Sequence, residues 1–351
     1  MTLKEVVTTR PDTSTFVIAE AGVNHNGSLE MALALVARAR ECGADAVKFQ
    51  AFRAERLATR AAPKAAYQRQ ATTDTAPGDD SQYAMLRSLE LSEDDFVRIQ
   101  AHCRACGIEF LASAFDEDSA GFLDGLGMRL FKIPSGEVTN HPLLARIGAF
   151  GRPIILSTGM CHLGEVEAAL HVLESAGAGP VTLLHCVTEY PAPFSQINLA
   201  AMETLARAFG VPVGYSDHTA GIEIPVAAVA MGATVIEKHF TLDTTLPGPD
   251  HAASLASDEF RHMVEAIRHV EQARGDGRKR PASCELDNLA VVRRSIAAGR
   301  DIAAGERITV AELVLKRPGN GLAPDCLAGV VGRRAARAIA ADQLIDWQDL
   351  A

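Results

Sequence analysis

Short apolar runs of β type recur eight times along the first part of the chain, and a helical pattern follows most of them. In order, the runs are Phe16–Asn26, Ala46–Gln50, Glu109–Phe115, Leu130–Glu137, Ile154–Gly159, Val181–Tyr190, Val211–His218 and Thr234–Phe240. A strand followed by a helix, repeated eight times, predicts an α/β fold of the (β/α)8 or TIM-barrel type. The carboxyl ends of all eight strands of such a barrel meet at one rim, so residues far apart in sequence can surround one small molecule there.

Composition is typical of a globular protein, with 48% hydrophobic and 22% charged residues among 351. The net charge of −10 argues against a nucleic-acid partner and against an acidic membrane surface. No apolar run reaches the ~18–20 residues that span a bilayer, and the N-terminal residues lack the apolar segment of a secretory signal. We therefore expect a cytoplasmic protein, in which the seven dispersed cysteines are reduced thiols.

The chain divides into a predicted catalytic barrel over residues 1–274, a linker over 275–290 and a small domain over 291–351. The linker is inferred from a shift in composition to glycine and basic residues. The last domain consists of short β-type runs and is too small to bury much apolar surface by itself. We expect it to pack on a partner surface, such as a second subunit.

Residues 52–91 form a connection that is too long for a simple βα turn, and its middle is polar and rich in turn residues. Insertions of this kind in a barrel usually cover the site, so we interpret this one as a lid or substrate wall. The alternative is a disordered surface excursion.

Two histidines end neighbouring predicted strands, His218 in Tyr-Ser-Asp-His and His239 in Glu-Lys-His. Adjacent strand tips bring such imidazoles close enough to bind one divalent cation. Two imidazoles with oxygen neighbours and open positions suit Mn²⁺, Fe²⁺, Zn²⁺ or Co²⁺. Because successive strand residues alternate in direction, we expect His239 to point inward and Lys238 to point outward or to be paired.

Cationic and hydroxyl side chains occupy the same strand ends. They are Lys48, Lys132, Ser135, Ser157 and Ser216. Together they predict a site for a ligand that carries both a phosphate and a carboxylate. A structural salt bridge remains the alternative for either lysine taken alone.

Carboxylates complete the predicted site. Glu20 and Glu137 close the first and fourth runs, and Asp250 follows the eighth. Carboxylates at a barrel rim can position water, transfer protons or bind sugar hydroxyls. The segment Asn24–Gly27 adds neutral hydrogen-bonding groups that suit a polyol, although turn chemistry would explain it equally well.

Eight segments, in their order along the chain, closely resemble the bacterial sialic acid synthase family. They are IAEAGVNHNG, AVKFQ, KIPSGE, ILSTGM, LLHCVTEYP, GYSDHT, EKHFTLD and GPDHAASL. The tail VRRSIAAGRDIAAGERIT and the later KRPGNG resemble the antifreeze-like SAF domain of that family. The resemblance covers essentially the whole chain. It implies a TIM barrel followed by a SAF domain of β-clip type.

The resemblance implies an enzyme that condenses phosphoenolpyruvate with an N-acyl-mannosamine-type sugar, giving a nine-carbon 2-keto acid and phosphate. It further implies a divalent metal, Mn²⁺ first and otherwise Mg²⁺ or Co²⁺, and a homodimer formed by exchange of the SAF domain. By matching motif, His218 and His239 would bind the metal. Lys48, Lys132, Ser135, Ser157, Thr188 and Ser216 would bind phosphoenolpyruvate. Glu20, Glu137 and Asp250 would serve catalysis, and Asn24, Tyr190 and Arg317 the sugar, with Arg317 reaching the N-acyl group from the partner.

Two departures bear on the acceptor. Val187 and Thr188 stand where some N-acetylneuraminate synthases have Thr-Asn, which changes one polar contact expected for phosphoenolpyruvate. The segment Ala62–Gln68 and the pair Arg293–Arg294 are similar to legionaminic acid synthases. N-acetylmannosamine is the first expectation, and 2,4-diacetamido-2,4,6-trideoxymannose is the alternative, ahead of a pseudaminic acid precursor. Rival interpretations are a synthase of seven- or eight-carbon acids, which would not need the SAF tail, and a non-catalytic carbohydrate-binding barrel.

Overall fold

The computed structural model describes residues 14–71 and 81–351. The chain forms two compact units, one ending at Gly275 and the other running from Asp276 to Ala351. The middle of the predicted lid, residues 72–80, lies outside the described ranges.

Eight parallel strands close into a barrel in the order β1 to β8, with β8 paired to β1. Their bounds are β1 Phe16–Gly22, β2 Ala46–Ala51, β3 Glu109–Ala114, β4 Phe131–Ile133, β5 Ile154–Ser157, β6 Val181–His185, β7 Val213–Asp217 and β8 Val235–His239. The barrel predicted from the strand–helix repeat is confirmed. The observed strands end earlier than most of the predicted runs, because the polar residues at the ends of those runs form the loops of the rim.

Helices surround the barrel and fill the long second connection. They are α1 Leu29–Glu41, α2 Ala54–Leu57, α3 Ala66–Ala71, α4 Gln82–Ser88, α5 Glu93–Cys106, α6 Glu117–Gly125, α7 His141–Gly148, α8 Leu163–Ser175, α9 Ala201–Phe209, α10 Glu223–Ala230 and α11 Ser257–Arg274. Helix α5 begins with a capping box, in which the Ser92 hydroxyl accepts from Asp95 N–H and the Asp95 carboxylate accepts from Ser92 N–H. Such a cap stabilises a helix start by about 1 kcal/mol.

The core has two layers that together set the depth of the site. Between strands and helices lies the main apolar layer, which includes Phe131, Tyr215 and Phe240. Inside the barrel lies a smaller plug. Its members are Phe16, Ile18, Ala46, Leu111, Leu130, Ile155, Leu184 and Val235. These residues come mostly from the amino-terminal halves of the strands, so they close that end of the barrel and leave the opposite end open for polar groups.

The long second connection packs its own apolar cluster against the rim. The cluster consists of Val23, Phe52, Ala54, Met85, Leu86 and Leu89, with Leu57, Ala58, Tyr83 and Phe115 packed against it. The described part of this connection is therefore anchored by burial of large side chains, each contributing about 1.5–3 kcal/mol. This fits the interpretation as a wall better than that as a surface excursion.

The second unit contains a two-stranded antiparallel sheet, β9 Ser295–Ala298 with β10 Leu313–Lys316, and the helices α12 Leu286–Val292 and α13 Leu327–Val330. Ten buried residues form its core, among them Ile296, Ile308 and Ile345. Across the described residues of both units, no helix is long and apolar enough to cross a membrane.

Candidate active site

A pocket opens at the carboxyl ends of the barrel strands, at the rim where the sequence predicts a site. Eleven of the fourteen predicted residues line it. They are Glu20, Lys48, Lys132, Ser135, Ser157, Thr188, Tyr190, Ser216, His218, His239 and Asp250. Closure of the barrel brings these groups together, because each lies at a strand end or in the loop directly after it.

Four buried charges form the bottom of the pocket, and we call Glu20, Lys48, Lys132 and Glu237 the charged floor. Lys48 Nζ lies 2.7 Å from Glu20 Oε2 and 3.7 Å from Glu237 Oε2, and Lys132 Nζ lies 3.3 Å from Glu237 Oε1. None of the four side chains is more than 7% exposed. The Ser216 hydroxyl donates to Glu237 Oε1 at 3.0 Å, which adds a hydrogen bond to the ion pairs.

Burial and mutual attraction set different pKa values within the charged floor. Burial raises the pKa of Glu20 to about 7 against the attraction of Lys48. Burial also opposes ionisation of Glu237, but Lys132 and Lys48 outweigh it and hold the pKa of Glu237 at about 2. Burial lowers the pKa of Lys132, whereas the two carboxylates overcome burial and raise the pKa of Lys48. Near neutral pH, one carboxylate of the floor is therefore firmly ionised and the other exchanges a proton.

Glu237 lines the pocket but is absent from the residues predicted from sequence, although alternation along β8 points to it. His239 lines the pocket, so Glu237, two positions earlier, shares its face. Lys238 confirms the expected pattern, because it is fully buried outside the pocket and donates to Asp217 Oδ2 at 2.5 Å. Gln50, two positions after Lys48 in β2, shares the face of Lys48 and also lines the pocket.

The two predicted metal-binding histidines lie side by side, with ring centroids 5.4 Å apart. The Tyr190 ring packs on His218 at 4.3 Å and meets His239 edge-on at 5.4 Å. Burial lowers the pKa of both imidazoles, and their mutual repulsion lowers that of His239 further. Both rings are thus neutral, as ligation requires.

The imidazole nitrogens test whether a metal ion fits. His218 Nδ1 donates to the carbonyl oxygen of Val187 at 2.6 Å, which leaves its Nε2 lone pair available. His239 Nδ1 is buried without a hydrogen-bond partner in the described residues, and Asp250 Oδ2 lies 4.0 Å away. No group of three or more His, Cys, Asp or Glu side chains in those residues is arranged to hold an ion. The two imidazoles and the nearby Asp250 carboxylate are the donors that an ion would use here, and water or substrate oxygens would have to complete its shell.

Asp250 reaches the pocket from the loop after β8, which hydrogen bonds to the loop after β1. Asn24 Nδ2 donates at 2.9 Å to both Phe240 O and Ser254 Oγ. The Ser254 hydroxyl in turn donates to Asp250 O at 2.6 Å. Burial raises the pKa of Asp250 to about 6. The position of this carboxylate is thus set by groups more than 200 residues away in sequence.

A second set of bonds joins the same two loops. Asn26 Nδ2 donates to Pro247 O at 2.8 Å, and His251 Nε2 donates to Asn26 Oδ1 at 3.2 Å. We call Asn24, Asn26, His251 and Ser254 the rim clasp. Asn24 is 1% exposed and its Nδ2 is used in the rim clasp, so its sugar-binding role stays a prediction.

Two further predicted residues do not line the pocket. Glu137 lies in a 3₁₀ turn after β4, where Asn140 Nδ2 donates to its Oε2 at 2.7 Å. Its catalytic role stays a prediction. Arg317 belongs to the second unit and is exposed there, directly after β10.

Gly159 makes room for three polar side chains at the pocket wall. A Cβ at this position would lie 2.5 Å from Thr188 Oγ1 and 2.9 Å from both Ser135 Oγ and Cys186 Sγ. The Gly159 N–H donates to Ser135 Oγ at 2.9 Å. Only glycine allows this convergence, which forms a small polar cradle beside Lys132 suited to an anionic group.

Two family models match successive parts of this chain. The NeuB family model matches residues 35–279 and the SAF domain model matches residues 293–351. N,N'-diacetyllegionaminic acid synthase of Legionella pneumophila is 47% identical over 95% of this chain and 94% of its own, and the enzyme of that name from Campylobacter jejuni is 47% identical over 94% and 98%. The crystal structure of N-acetylneuraminic acid (sialic acid) synthetase from Leptospira borgpetersenii in complex with citrate is 32% identical, covers 79% of this chain and 90% of its own, and superposes with a TM-score of 0.69. The chain belongs to the NeuB family and carries a SAF domain after its barrel.

Proposed function

We propose that the protein condenses phosphoenolpyruvate with an N-acylated amino-sugar aldehyde to a nine-carbon 2-keto acid, releasing phosphate. The observation that carries the proposal is the charged floor facing two neutral imidazoles in one barrel pocket. The two relatives at 47% identity are legionaminic acid synthases, whereas the sialic acid synthetase structure is 32% identical. This favours 2,4-diacetamido-2,4,6-trideoxymannose as acceptor over N-acetylmannosamine, the first expectation from sequence.

Lys48 and Lys132 provide the positive charge for the phosphate and carboxylate of phosphoenolpyruvate, with the hydroxyls of Ser135, Ser157 and Ser216 around them. The net charge of the floor is zero when its two lysines and two carboxylates are all ionised. Glu20 has a pKa of about 7, so a proton taken up there leaves the floor with net positive charge for an anionic substrate. Burial strengthens these interactions, because little water competes for the charges.

We propose that His218 and His239 hold a divalent cation, Mn²⁺ first and Mg²⁺ or Co²⁺ otherwise. The chemistry supplied there, when an ion is bound, is Lewis-acid polarisation of the acceptor aldehyde. Asp250, buried beside His239 with a pKa of about 6, accepts a proton from water during release of phosphate. Tyr190 helps to orient the His218 ring by packing against it in a tilted arrangement.

We further propose a homodimer in which the SAF domain is exchanged, so that Arg317 of the partner meets the N-acyl group of the acceptor. The exposed position of Arg317 after β10 and the small core of its unit support this arrangement. Light scattering tests it directly, and a monomeric mass of 37.3 kDa would contradict it.

Phosphate release from phosphoenolpyruvate with Mn²⁺ tests the proposed reaction, with each acceptor supplied in parallel. We expect release with the acceptor present and its loss on adding EDTA. Metal content and turnover of His239→Ala should both fall, whereas the exposed His171→Ala is the matched control and keeps both. No release with either acceptor would contradict the proposed function, and unchanged metal content in His239→Ala would contradict the ligand assignment.

A further inference from the structure

One side of the pocket is apolar, in contrast with the charged floor. Five apolar residues of the lining come from the second connection and from the loops after β1 and β3. They are Val23, Met85, Leu86, Leu89 and Phe115, and we call them the apolar wall. They belong to one packed cluster, in which Met85 is 9% and Leu86 is 8% exposed. A continuous apolar surface therefore faces the substrate space.

The apolar wall extends around the rim from Val23, after β1 and beside β8, to Phe115 after β3. In the closed order of eight strands, β3 is diametrically opposite β7, which carries His218 just beyond its end. Two polar side chains that line the pocket near the wall each have a hydrogen-bond partner. Gln50 Nε2 donates to Glu20 Oε1 at 3.3 Å, and Gln68 Oε1 accepts from Ala65 N–H at 2.9 Å.

The length of an open-chain amino sugar decides which substituent can reach that wall. The reacting aldehyde carbon has to lie near His218 and His239, and the C2 acetamido group, one bond away, stays beside it. C6 is five bonds away and can cross the pocket. We propose that the apolar wall receives a methyl group at C6, so that this protein selects 6-deoxy acceptors over their 6-hydroxy counterparts. This inference rests on the proposed function and assigns its acceptor specificity to named residues.

The expected selectivity follows from the cost of leaving a hydroxyl without a partner. A C6 hydroxyl against the apolar wall loses its hydrogen bonds to water and finds no free donor or acceptor among these five side chains. An apolar surface rejects one added hydroxyl by roughly 10- to 100-fold in kcat/KM. We expect a preference of that size for the methyl compound.

The test compares acceptors that differ at one carbon, with phosphate release as the readout. N-acetylmannosamine and its 6-deoxy derivative differ only by the C6 oxygen. The second pair is 2,4-diacetamido-2,4,6-trideoxymannose and 2,4-diacetamido-2,4-dideoxymannose, which differ by the same C6 oxygen in the presence of the C4 acetamido group. Wild-type protein should prefer each 6-deoxy sugar over its 6-hydroxy partner by a similar factor. Equal kcat/KM values within both pairs would overturn the inference.

Met85→Gln and Leu86→Gln place an amide on the wall that can bond to a C6 hydroxyl. We expect each to lower the selectivity ratio by about 10-fold. The matched control is Leu57→Gln, which makes the same kind of change in the same cluster outside the pocket lining and should leave the ratio unchanged. Each ratio is measured within one preparation, so partial unfolding cancels.

The outcomes separate the two proposals. Turnover with a selectivity ratio that neither Met85→Gln nor Leu86→Gln alters would overturn the inference and leave the proposed function standing. Absence of turnover with every acceptor, in wild-type protein containing Mn²⁺, would overturn both.

Discussion

Ion pairs of the barrel pocket and of the second unit are equally short but differ in exposure. In the charged floor, Lys48 and Glu20 are 2.7 Å apart with side chains 4% and 3% exposed. In the second unit, Arg300 lies 2.6 Å from Glu306 and 3.0 Å from Glu312, and its side chain is 50% exposed. Distance alone would suggest similar interactions in the two regions.

The difference in exposure makes the energetic contributions of the two sets of ion pairs different. Removing four charged groups from water costs several kcal/mol per ion, which the ion pairs at best recover. An apolar cluster of the same volume often stabilises a core as well as a buried ion pair does, so stability is a weak reason for the floor, whereas the proposed binding of an anion would be a strong one. The exposed pairs of the second unit are solvated and screened, and pairs of that kind contribute little.

The largest effect is expected at Lys132. Replacement by Met removes one of two charges that face the phosphate and carboxylate, so kcat/KM for phosphoenolpyruvate should fall by about 10²- to 10³-fold. Steady-state kinetics with varied phosphoenolpyruvate measures this. Lys238→Met is the control, because Lys238 is equally buried but bonds to Asp217 outside the pocket. An equal rise in KM in both variants would contradict an anion site at Lys132.

Stability should respond differently from activity in a double-mutant cycle. Glu237→Gln leaves the buried charge of Lys132 without its carboxylate and should lower the free energy of unfolding by about 3 kcal/mol. Lys132→Met leaves Glu237 with Lys48 at 3.7 Å and should lower it by less. The double variant keeps the Lys48–Glu20 pair, so its loss in free energy of unfolding should be much smaller than the sum of the two single losses. Denaturant unfolding of the four proteins gives the coupling. Recovery of activity along with stability in the double variant would show that the floor is structural.

The pKa of Glu20 predicts a pH dependence of stability. Its pKa rises from 4.5 to about 7 on folding, so the folded state holds the proton more tightly than the unfolded chain. The resulting contribution is fully present below pH 4.5 and is lost as the pH rises through about 7. Thermal unfolding of wild type and Glu20→Gln at about pH 5 and about pH 8 tests this. The unfolding temperature of wild type minus that of Glu20→Gln should be larger at the lower pH. A larger value at the higher pH would contradict the raised pKa of Glu20.

The smallest effect is expected in the second unit. Arg300→Ala removes two short but exposed ion pairs, and the unfolding midpoint should not change beyond the scatter of replicate measurements. A clear loss of stability would mean that these exposed ion pairs contribute to stability in spite of their contact with solvent.

The sequence analysis predicted which strand ends carry chemistry better than which way each side chain turns. Strand ends are visible from the alternation of apolar runs and polar clusters, so Lys48, Lys132 and His239 are found without a structure. The orientations of Asn24 and Glu137 depend on their hydrogen-bond partners, and for Asn24 these lie more than 200 residues away. Glu237 is predictable from sequence as well, because it lies two residues before His239 on the same strand and therefore on the same face.

The apolar wall illustrates a different limit. Met85 and Leu86 lie in a short amphipathic segment that has no strand-end signal, and only the folded connection brings them to the pocket. A sequence pattern can indicate that a long connection covers a barrel rim, but it does not specify which of its side chains face inward.

The rim clasp joins the beginning and the end of the barrel, since Asn24 and Asn26 follow the first strand and their partners follow the last. A growing chain on the ribosome therefore carries β1 for more than 200 residues before these bonds can form. Loop closure over such a distance is slow compared with the formation of local helices. No half-finished barrel of this chain can place Asp250 beside His239, so catalytic competence arises only when synthesis of the barrel is complete.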